Sequence, residues 1–447
     1  MGRTIAGCFF LMVTLCAAAA SPENGPAGAL TLTLDEAVRR ALEQNLDLKK
    51  NLIDLSTAEY AAGRLWAEVF PSVSGGLGAG YSTGLFAGNG FELDRKNGNY
   101  NASLEISLNL SAGIPHRMKM IRLAWQIELL NYEDARRRVE IETAKNFYSL
   151  LAGRENIEFL RESLELARRQ FDNNQIAFDN GIMGEMSLLQ SRLEFETARF
   201  NLSAAQAAHA DRMGEFLTIL GLGQDREAAF EGELSVVRVD ADGEKLIRDY
   251  LPGRPDMVNL RRNIERLRYA EKRNRLDARA PSIRLETRWG GGGAQGSADK
   301  FTDTLGGAIS LSIPLDPWIP GTKTAQTLRG DGAELKKAEL DLENAGIAAA
   351  SQIRSLTAGL RNSWESIEIA RLGVSAAERV YALTEEGFRN GTVESMTLAD
   401  ARNDLADARQ RLLTAGLSYR IMTLDLAAAV NLDWKEFFNP SGGPEHK

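Results

Sequence analysis

The side chains best suited to chemistry are few and scattered. The three histidines, His116, His209 and His446, lie far apart and offer no spacing that would hold a metal ion. His209 falls on a helical seam at a position that carries Tyr419 in a second copy of the same pattern, which points to packing. Both cysteines, Cys8 and Cys16, sit within the first twenty residues, so the remainder has no disulfide framework and no thiol nucleophile. The run Gly75-Gly76-Leu77-Gly78-Ala79-Gly80 has the glycine density of a phosphate loop, but it lacks the lysine that reaches a phosphate and stands where a strand is expected. Glu133, Arg137 and Glu140 have the i, i+3 and i, i+4 spacing of a solvated helical face. No catalytic set, metal site or cofactor site follows from these residues, so the sequence reads as a non-enzyme. The net charge of −8 gives no reason to expect a nucleic-acid partner.

The start of the chain reads as an export signal over residues 1–20. Arg3 supplies the positive end, Ile5 to Leu15 a short apolar run, and Ala18-Ala19-Ala20 the small residues before a cut after Ala20. The run is too short to span a bilayer. Cys16, after Val13-Thr14-Leu15, leaves lipidation as the alternative. No later stretch of about twenty apolar residues follows. An exported chain of this kind is periplasmic, secreted or an outer-membrane β-barrel, whose alternating strands escape a hydropathy scan.

The remainder is written twice, with a period near 210 residues. Phe178-Asp179-Asn180-Gly181 matches Phe388-Arg389-Asn390-Gly391, and Met186-Ser187-Leu188 matches Met396-Thr397-Leu398 in the same register. Arg192 falls on Arg402, Ala198-Arg199 on Ala408-Arg409, and Pro71-Ser72 on Pro281-Ser282. So long a period means a duplicated half-protein rather than a solenoid. The halves are expected over 21–222 and 251–432, with a polar linker at 223–250 and a polar tail at 433–447. Each half predicts a helical segment (34–70, then 256–280), a strand pair, a long helix (116–178, then 322–388), a glycine-containing turn and a return helix (184–221, then 394–431). A helix of roughly 60 residues is about 90 Å long. Along the return helices Leu188, Phe195, Leu202, His209 and Phe216 recur every seven residues, as do Leu398, Leu405, Leu412, Tyr419 and Leu426. Ser191, Ala198, Ala205, Arg212 and Ile219 follow three residues behind in the first set, and Ala401, Ala408, Ala415, Met422 and Ala429 in the second. This large-small heptad predicts coiled-coil packing.

Four strands are expected, at about 72–81, 99–111, 282–290 and 304–313. Asn101, Ser103, Glu105, Ser107 and Asn109 alternate with Ala102, Leu104, Ile106, Leu108 and Leu110. Arg284 and Glu286 alternate with Ile283, Leu285 and Thr287, and Leu305, Ile309 and Leu311 with Thr304, Ala308 and Ser310. Period two puts the polar side chains on one face, so Ser103, Glu105, Ser107, Arg284 and Glu286 are expected to line a wet lumen while Leu104, Ile106, Leu108, Leu285, Ile309 and Leu311 face lipid. Residues 82–98 and 291–303 read as loops at the strand tips. Four strands cannot close a membrane barrel, and open edges are not tolerated in lipid, so the chain must oligomerise.

Taken together, Leu32-Thr33-Leu34-Asp35-Glu36-Ala37 with Ala41 and Asn45, Phe70-Pro71 before the first strand, Ile313-Pro314-Leu315 after the fourth, and the paired turns and return helices resemble the TolC family of outer-membrane efflux proteins over nearly the whole mature chain. The resemblance implies a mainly α fold with a small β part: long coiled-coil helices forming a periplasmic α-barrel, and a four-stranded share of a trimeric transmembrane β-barrel, built by internal duplication. It further implies a homotrimeric channel in the outer membrane of a diderm bacterium, in contact with outer-membrane lipid and working with a periplasmic adaptor protein and an inner-membrane pump. Drugs, metal ions and secreted proteins all leave through ducts of this type. A departure is Leu46, where the family often has proline after the asparagine.

The far ends of the long helices, Asn180-Gly181-Ile182-Met183-Gly184 and Asn390-Gly391-Thr392-Val393, are then the expected docking turns for the adaptor. The family places two acidic residues one helical turn apart on the second return helix, around the periplasmic mouth. Aligned on Gly391 they fall on Thr397 and Asp400, so Asp400 alone is the expected gate residue, and its first-half equivalent is Gln190. The bland alternative is a solvated Asp400 paired with Arg402 or with neighbours of Arg409. The competing reading of the whole chain is a structural or adhesive coiled-coil protein of the envelope, which has no need of a sheet interleaved twice between helices.

Overall fold

The chain was described from a computed structural model covering residues 30–81, 98–223, 228–294 and 302–437. The expected export signal with Cys8 and Cys16, residues 82–97 and 295–301 of the expected loops, and His446 lie outside these.

The opening motif makes a helix start. Thr33 is the N-cap of α1 (Leu34–Gln44): its hydroxyl accepts from the Glu36 amide, and the Glu36 carboxylate accepts from the Thr33 amide at 3.1 Å. One helix was expected through residue 70, but the chain breaks at Asn45. Its ψ of 125° leaves the helix, and its side-chain oxygen accepts from the amides of Asp47 and Leu48, so a new helix α2 (Leu46–Gly63) begins. Leu46 thus occupies the first helical position, where a proline also fits. A 3-10 turn, Leu65–Val69, leads to Pro71 and the sheet.

Two long hairpins follow the expected register. In the first, α3 (Ile114–Asp179) runs into α4 (Glu185–Ile219); in the second, α7 (Lys323–Arg389) runs into α8 (Ser395–Val430). The 66 residues of α3 span about 100 Å. Both turns have one geometry. Gly181 (φ 72°) and Gly391 (φ 73°) take the left-handed conformation and donate to the Phe178 and Phe388 carbonyls at 2.8 and 3.0 Å. The return helices also end alike, on Gly221 (φ 67°) and Asn431 (φ 59°). The seam residues turn inward along both hairpins, and Phe171 stacks on Phe195 with ring centres 5.9 Å apart. Arg212 departs from this: it is exposed, because a guanidinium at the narrow seam stays in water, whereas its repeat mate Met422 is half-buried.

The tightest packing lies midway along the long helices, where the return helices end. Phe147, Phe216 and Phe230 meet edge to face, with Leu150, Leu151, Leu220 and Leu424 around them. A second core joins Ile353, Leu360 and Ile367 to Tyr419 and Leu426. Residues 223–250 were expected to be an irregular linker; the described part, residues 228–250, forms an ordered strap across both cores. Its strand β4 (Ala228–Phe230) pairs in parallel with β1 (Leu30–Leu32). Val236, Val239 and Ala241 pack on the second core, the Tyr419 hydroxyl donates to the Val237 carbonyl and accepts from the Val239 amide, and Asp242 caps a helix α5 (Gly243–Tyr250). The tail begins with α9 (Trp434–Phe437), whose Trp434 is buried in the first core. These apolar residues are spaced irregularly, so periodicity could not reveal them.

Helix α6 (Pro255–Arg279) rises to a four-stranded antiparallel sheet in the order β2 (Ser72–Tyr81), β3 (Gly98–Leu110), β5 (Ser282–Ala294), β6 (Thr302–Ser312). The two halves join through β3 and β5. Residues 291–294, expected in a loop, extend β5, since glycine backbone pairs with β3 and β6 as well as any other.

In the upper part the helices lie side by side in the order α2, α3, α6, α7, and in the lower part in the order α4, α3, α8, α7. One flank of the protomer is therefore α2, β2 and α4, and the other β6 and α7.

Gly221 is the tightest of the left-handed positions. A Cβ there would lie 2.7 Å from the Gln44 Cβ, whereas one on Gly391 would meet nothing within 4 Å. Gly391→Ala should cost about 1 kcal/mol, the penalty of left-handed backbone alone. Gly221→Ala should cost clearly more and lower the thermal midpoint further when unfolding is followed by circular dichroism; equal losses would show that α1 does not press on this turn.

Candidate functional site

The sheet separates its side chains by register. Opposed residues in an antiparallel pair share a face. Ser107 stands opposite Ser72 and Glu286; Glu105 opposite Ser74 and Arg288; Ser103 opposite Gly76 and Gly290; Asn109 opposite Arg284. One face of all four strands is thus polar or glycine apart from alanines such as Ala308, and it holds all five residues expected to line a lumen. The other face carries Val73, Leu104, Ile106, Leu108, Leu285, Ile309 and Leu311. Ile309 and Leu311 are 80% and 63% exposed, an apolar surface with no cover in the single chain. On the polar face Arg288 reaches across to Glu105 at 2.5 Å and lies 3.8 Å from Glu286. This face therefore carries charges of both signs, with no cluster of metal-holding side chains among the described residues.

The opposite end of the molecule holds the two turns. Ile182 at the first is 81% exposed, and the Ile182 amide donates to Ala177 as the Thr392 amide does to Gly387 in the second. Asp400 lies a turn and a half into α8, exposed between buried Ala399 and Ala401. The arginines that could have neutralised it are engaged elsewhere. Arg402 pairs with Glu194 of the first hairpin at 3.2 Å, and Arg409 with Glu378 at 3.1 Å. Among the described residues Asp400 has no ion-pair partner.

Other residues expected to be solvated are structural. Arg137 donates to the carbonyl and side-chain oxygen of Asn431 and so caps the end of α8. Glu140 is half-buried beside it, and burial raises its carboxyl above the usual range against the pull of Arg136. The spacing of Glu133, Arg137 and Glu140 suits a wet face and an inter-helix face equally, and only Glu133 is exposed. His209 packs against Gly153, and burial, with Arg212 and Arg154 nearby, holds its imidazole below its ordinary pKa. Sequence reasoning also missed Trp66, Phe70 and Trp318, exposed aromatic residues at the foot of the sheet. Their grouping depends on the turns that follow α2 and β6, which periodicity does not reveal.

Comparison with known proteins matches this arrangement at both halves. The family described as outer membrane efflux protein matches residues 37–222 and 246–432. The chain is 21% identical over 412 residues to the outer membrane protein TolC of Escherichia coli (strain K12), covering 89% of this chain and 82% of that protein. It is 24% identical over 419 residues to the antibiotic efflux pump outer membrane protein ArpC of Pseudomonas putida, covering 90% and 84%. Among solved structures, the CmeC outer membrane channel of Campylobacter jejuni superposes with a TM-score of 0.71 at 19% identity, over 89% of this chain and 85% of that one. The open state of the Neisseria gonorrhoeae MtrE outer membrane channel gives 0.66 at 16%, over 89% of each.

The register makes a sharp expectation for labelling. Neither cysteine lies beyond residue 20, so single cysteines introduced in the sheet can be read cleanly. In liposomes, Glu105→Cys should react with a membrane-impermeant thiol reagent and Ile106→Cys should be protected. The reverse order would mean that the polar face is not the wet one.

Proposed function

The chain belongs to the outer membrane efflux protein family, and on that premise we propose that three copies close into one passive export duct, the outer-membrane exit of a tripartite efflux or type I secretion system. It is an outer-membrane channel and not an enzyme. The observation that carries the trimeric reading is that both flanks of the protomer lack partners at every level. β2 and β6 are unpaired on their outer sides among the described residues. The flanking helices carry bare apolar side chains: Met186, Leu193 and Phe200 on α4, and Ile369, Leu372 and Val380 on α7, each more than half exposed. In lipid the strand edges must be satisfied, and in water the apolar side chains favour burial. A ring of identical copies, each joining its first flank to its neighbour's second, does both.

The two repeats, 21–222 and 251–432, then each supply half of the protomer's share of the wall, with 228–250 as the strap around the middle. Helices α3 and α7, each about 100 Å long, carry the duct into the periplasm, braced over their lower halves by the return helices α4 and α8. Their turns, Asn180 to Gly184 and Asn390 to Val393, are the docking points for a periplasmic adaptor that links the duct to an inner-membrane pump. Asp400 from each copy forms a ring of three carboxylates at the mouth, which attracts cations and discourages anions. Its exposure and its lack of an arginine partner support that role. Ser103, Glu105, Ser107, Arg284 and Glu286 line the wet side of the barrel.

Two measurements test this. The detergent-corrected mass of the purified particle should be that of three chains, and Gly391→Trp should abolish export while leaving that mass unchanged; a protease-resistant monomer would overturn the duct. In planar bilayers, multivalent cations added on the periplasmic side should block current, and Asp400→Ala should weaken the block by about tenfold, the order expected for losing a charge worth about 1.4 kcal/mol. An unchanged block and reversal potential would place Asp400 on the outside of the tunnel.

A further inference from the structure

Helix α6 carries an unusual charge pattern. Between residues 261 and 279 the exposed positions are Arg261, Glu265, Arg268, Lys272, Arg275 and Arg279, a strict four-three spacing that puts five cations and one acid on a single stripe. Every other residue of that span is half-buried or buried, turned to α3 through Arg262, Tyr269 and Asp277 or to α7 through Asn274. Helices α3, α6 and α7 lie side by side in one layer; in a closed ring of copies the convex side of such a layer is its more open side, which assigns the exposed stripe to the outward face.

The first repeat supports this direction. Tyr60-Ala61 and Glu68 align with Tyr269-Ala270 and Asp277 at an offset of 209, and Glu68 and Asp277 both approach the same Arg117, at 3.1 and 3.9 Å. At that offset the top of the stripe corresponds to Trp66 and Phe70, which lie exposed and edge to face at 5.2 Å. Exposed tryptophan and phenylalanine at the foot of a membrane sheet are membrane-interface side chains. The second repeat has Arg275 and Arg279 at those places. Arg279 keeps the aromatic element from another source, with its guanidinium 5.3 Å from the ring centre of Trp318, which is 65% exposed and followed by exposed Ile319.

We propose that Lys272, Arg275 and Arg279, flanked by Trp66, Phe70 and Trp318, form a binding belt for anionic phospholipid headgroups on the periplasmic side of the outer membrane. The inference rests on the outward placement of the sheet's apolar face in lipid. Residues 272 to 279 lie within about 11 Å of the end of the helix that leads into the sheet, which is headgroup depth. Arg279 and Lys272 have no ion-pair partner among the described residues, while the exposed Arg275 is paired at 2.5 Å with Glu271, which is half-buried, and its outward N–H groups can still meet a phosphodiester. Arg268 is bound to Glu339 at 2.8 Å, and Arg261 stands about 27 Å below Arg279, so neither reaches the membrane. Each cation near an anionic surface strengthens attachment by about fivefold, and the aromatic side chains fix the depth at which it sits.

The test uses the purified full chain reconstituted in nanodiscs or detergent, with native mass spectrometry of retained lipid. Wild type should retain phosphatidylglycerol over phosphatidylethanolamine by at least about tenfold, and rising salt should erase the preference. The triple variant Lys272→Gln, Arg275→Gln, Arg279→Gln should lose that preference while its single-channel conductance stays unchanged. Arg275→Lys with Arg279→Lys should keep most of it, and Arg261→Gln with Arg268→Gln all of it. An equal preference in wild type and triple variant would overturn the belt, as would displacement of the lipid by millimolar inorganic phosphate, which marks a generic anion site. Failure of the wild type to insert in vesicles of either lipid would instead overturn the membrane placement of the sheet, and normal conductance without lipid preference would leave that placement standing and remove the belt alone.

Discussion

A sheet in hydrocarbon can leave no backbone N–H or C=O unpaired, and this constraint governs the rest of the molecule. The chain supplies four strands, far short of a closed wall, and its two outer edges are open among the described residues, which is what the proposed ring of copies would close. The constraint extends below the membrane because the sheet does not end in loops. β3 continues into α3 and β6 leads to α7, so strand order fixes helix order, and the open sheet edges continue as open helix flanks. Residues such as Phe200 and Leu372, 71% and 72% exposed, look misplaced in a single chain and are apt in a ring. Register is equally bound: a slip of one residue between β3 and β5 would separate Glu105 from Arg288 and turn one of the two charges to the apolar face.

Helices about 100 Å long need fixing somewhere along their length, and the molecule does this in the middle. The strap, β1, α1 and α9 wrap the hairpins where the aromatic core and the Tyr419 hydroxyl bonds lie. Below that belt each hairpin is held chiefly by its heptad seam, where alanines such as Ala198 and Ala408 let the backbones close up but bury little area each. The lower hairpins are therefore the softer part of a stiff tube. The Arg402–Glu194 pair, with both side chains mostly buried, adds a charged link to the α3–α8 packing that joins one hairpin to the other.

Elements with a strong period were legible in the sequence. The long helices, both turns and the alternation in the strands follow from spacing alone, and the structure places each within a few residues of the expected bounds. What spacing could not show was any contact between distant segments. Arg137 reads as a surface residue because nothing in its helix announces that Asn431 will come to it 294 residues later. The strap reads as a linker because Leu234, Val236 and Val239 follow neither period, and their burial is dictated by the groove they fill. Asn45 could have been recognised, since an asparagine followed by an acidic residue two places on is a helix-start signal, but the apolar pattern runs unbroken across it. Of the candidate site residues, the sheet set came from alternation, whereas Asp400 came only through resemblance, because a lone aspartate on a helix carries no signal of its own.

Duplication gives a way to separate frame from function. Where the halves agree, as at Gly181 and Gly391 or the seam leucines, the shared residue serves the backbone both halves must build. Where they differ, the frame is held constant and the change has a local cause. His209 and Tyr419 share a seam position, and tyrosine stands where a strap must be gripped by a hydroxyl, while histidine stands against Gly153, where a flat ring of modest size fits. Gln190 and Asp400 share another, and the charge appears in the half whose return helix follows the second turn. Trp66 and Phe70 are exchanged for Arg275 and Arg279 on the outer stripe, so one repeat meets the foot of the membrane with aromatic rings and the other with cations. In a ring of three such chains the two kinds of contact would alternate around the whole circumference, and hydrophobic anchorage and charge would be interleaved where the tube leaves the lipid.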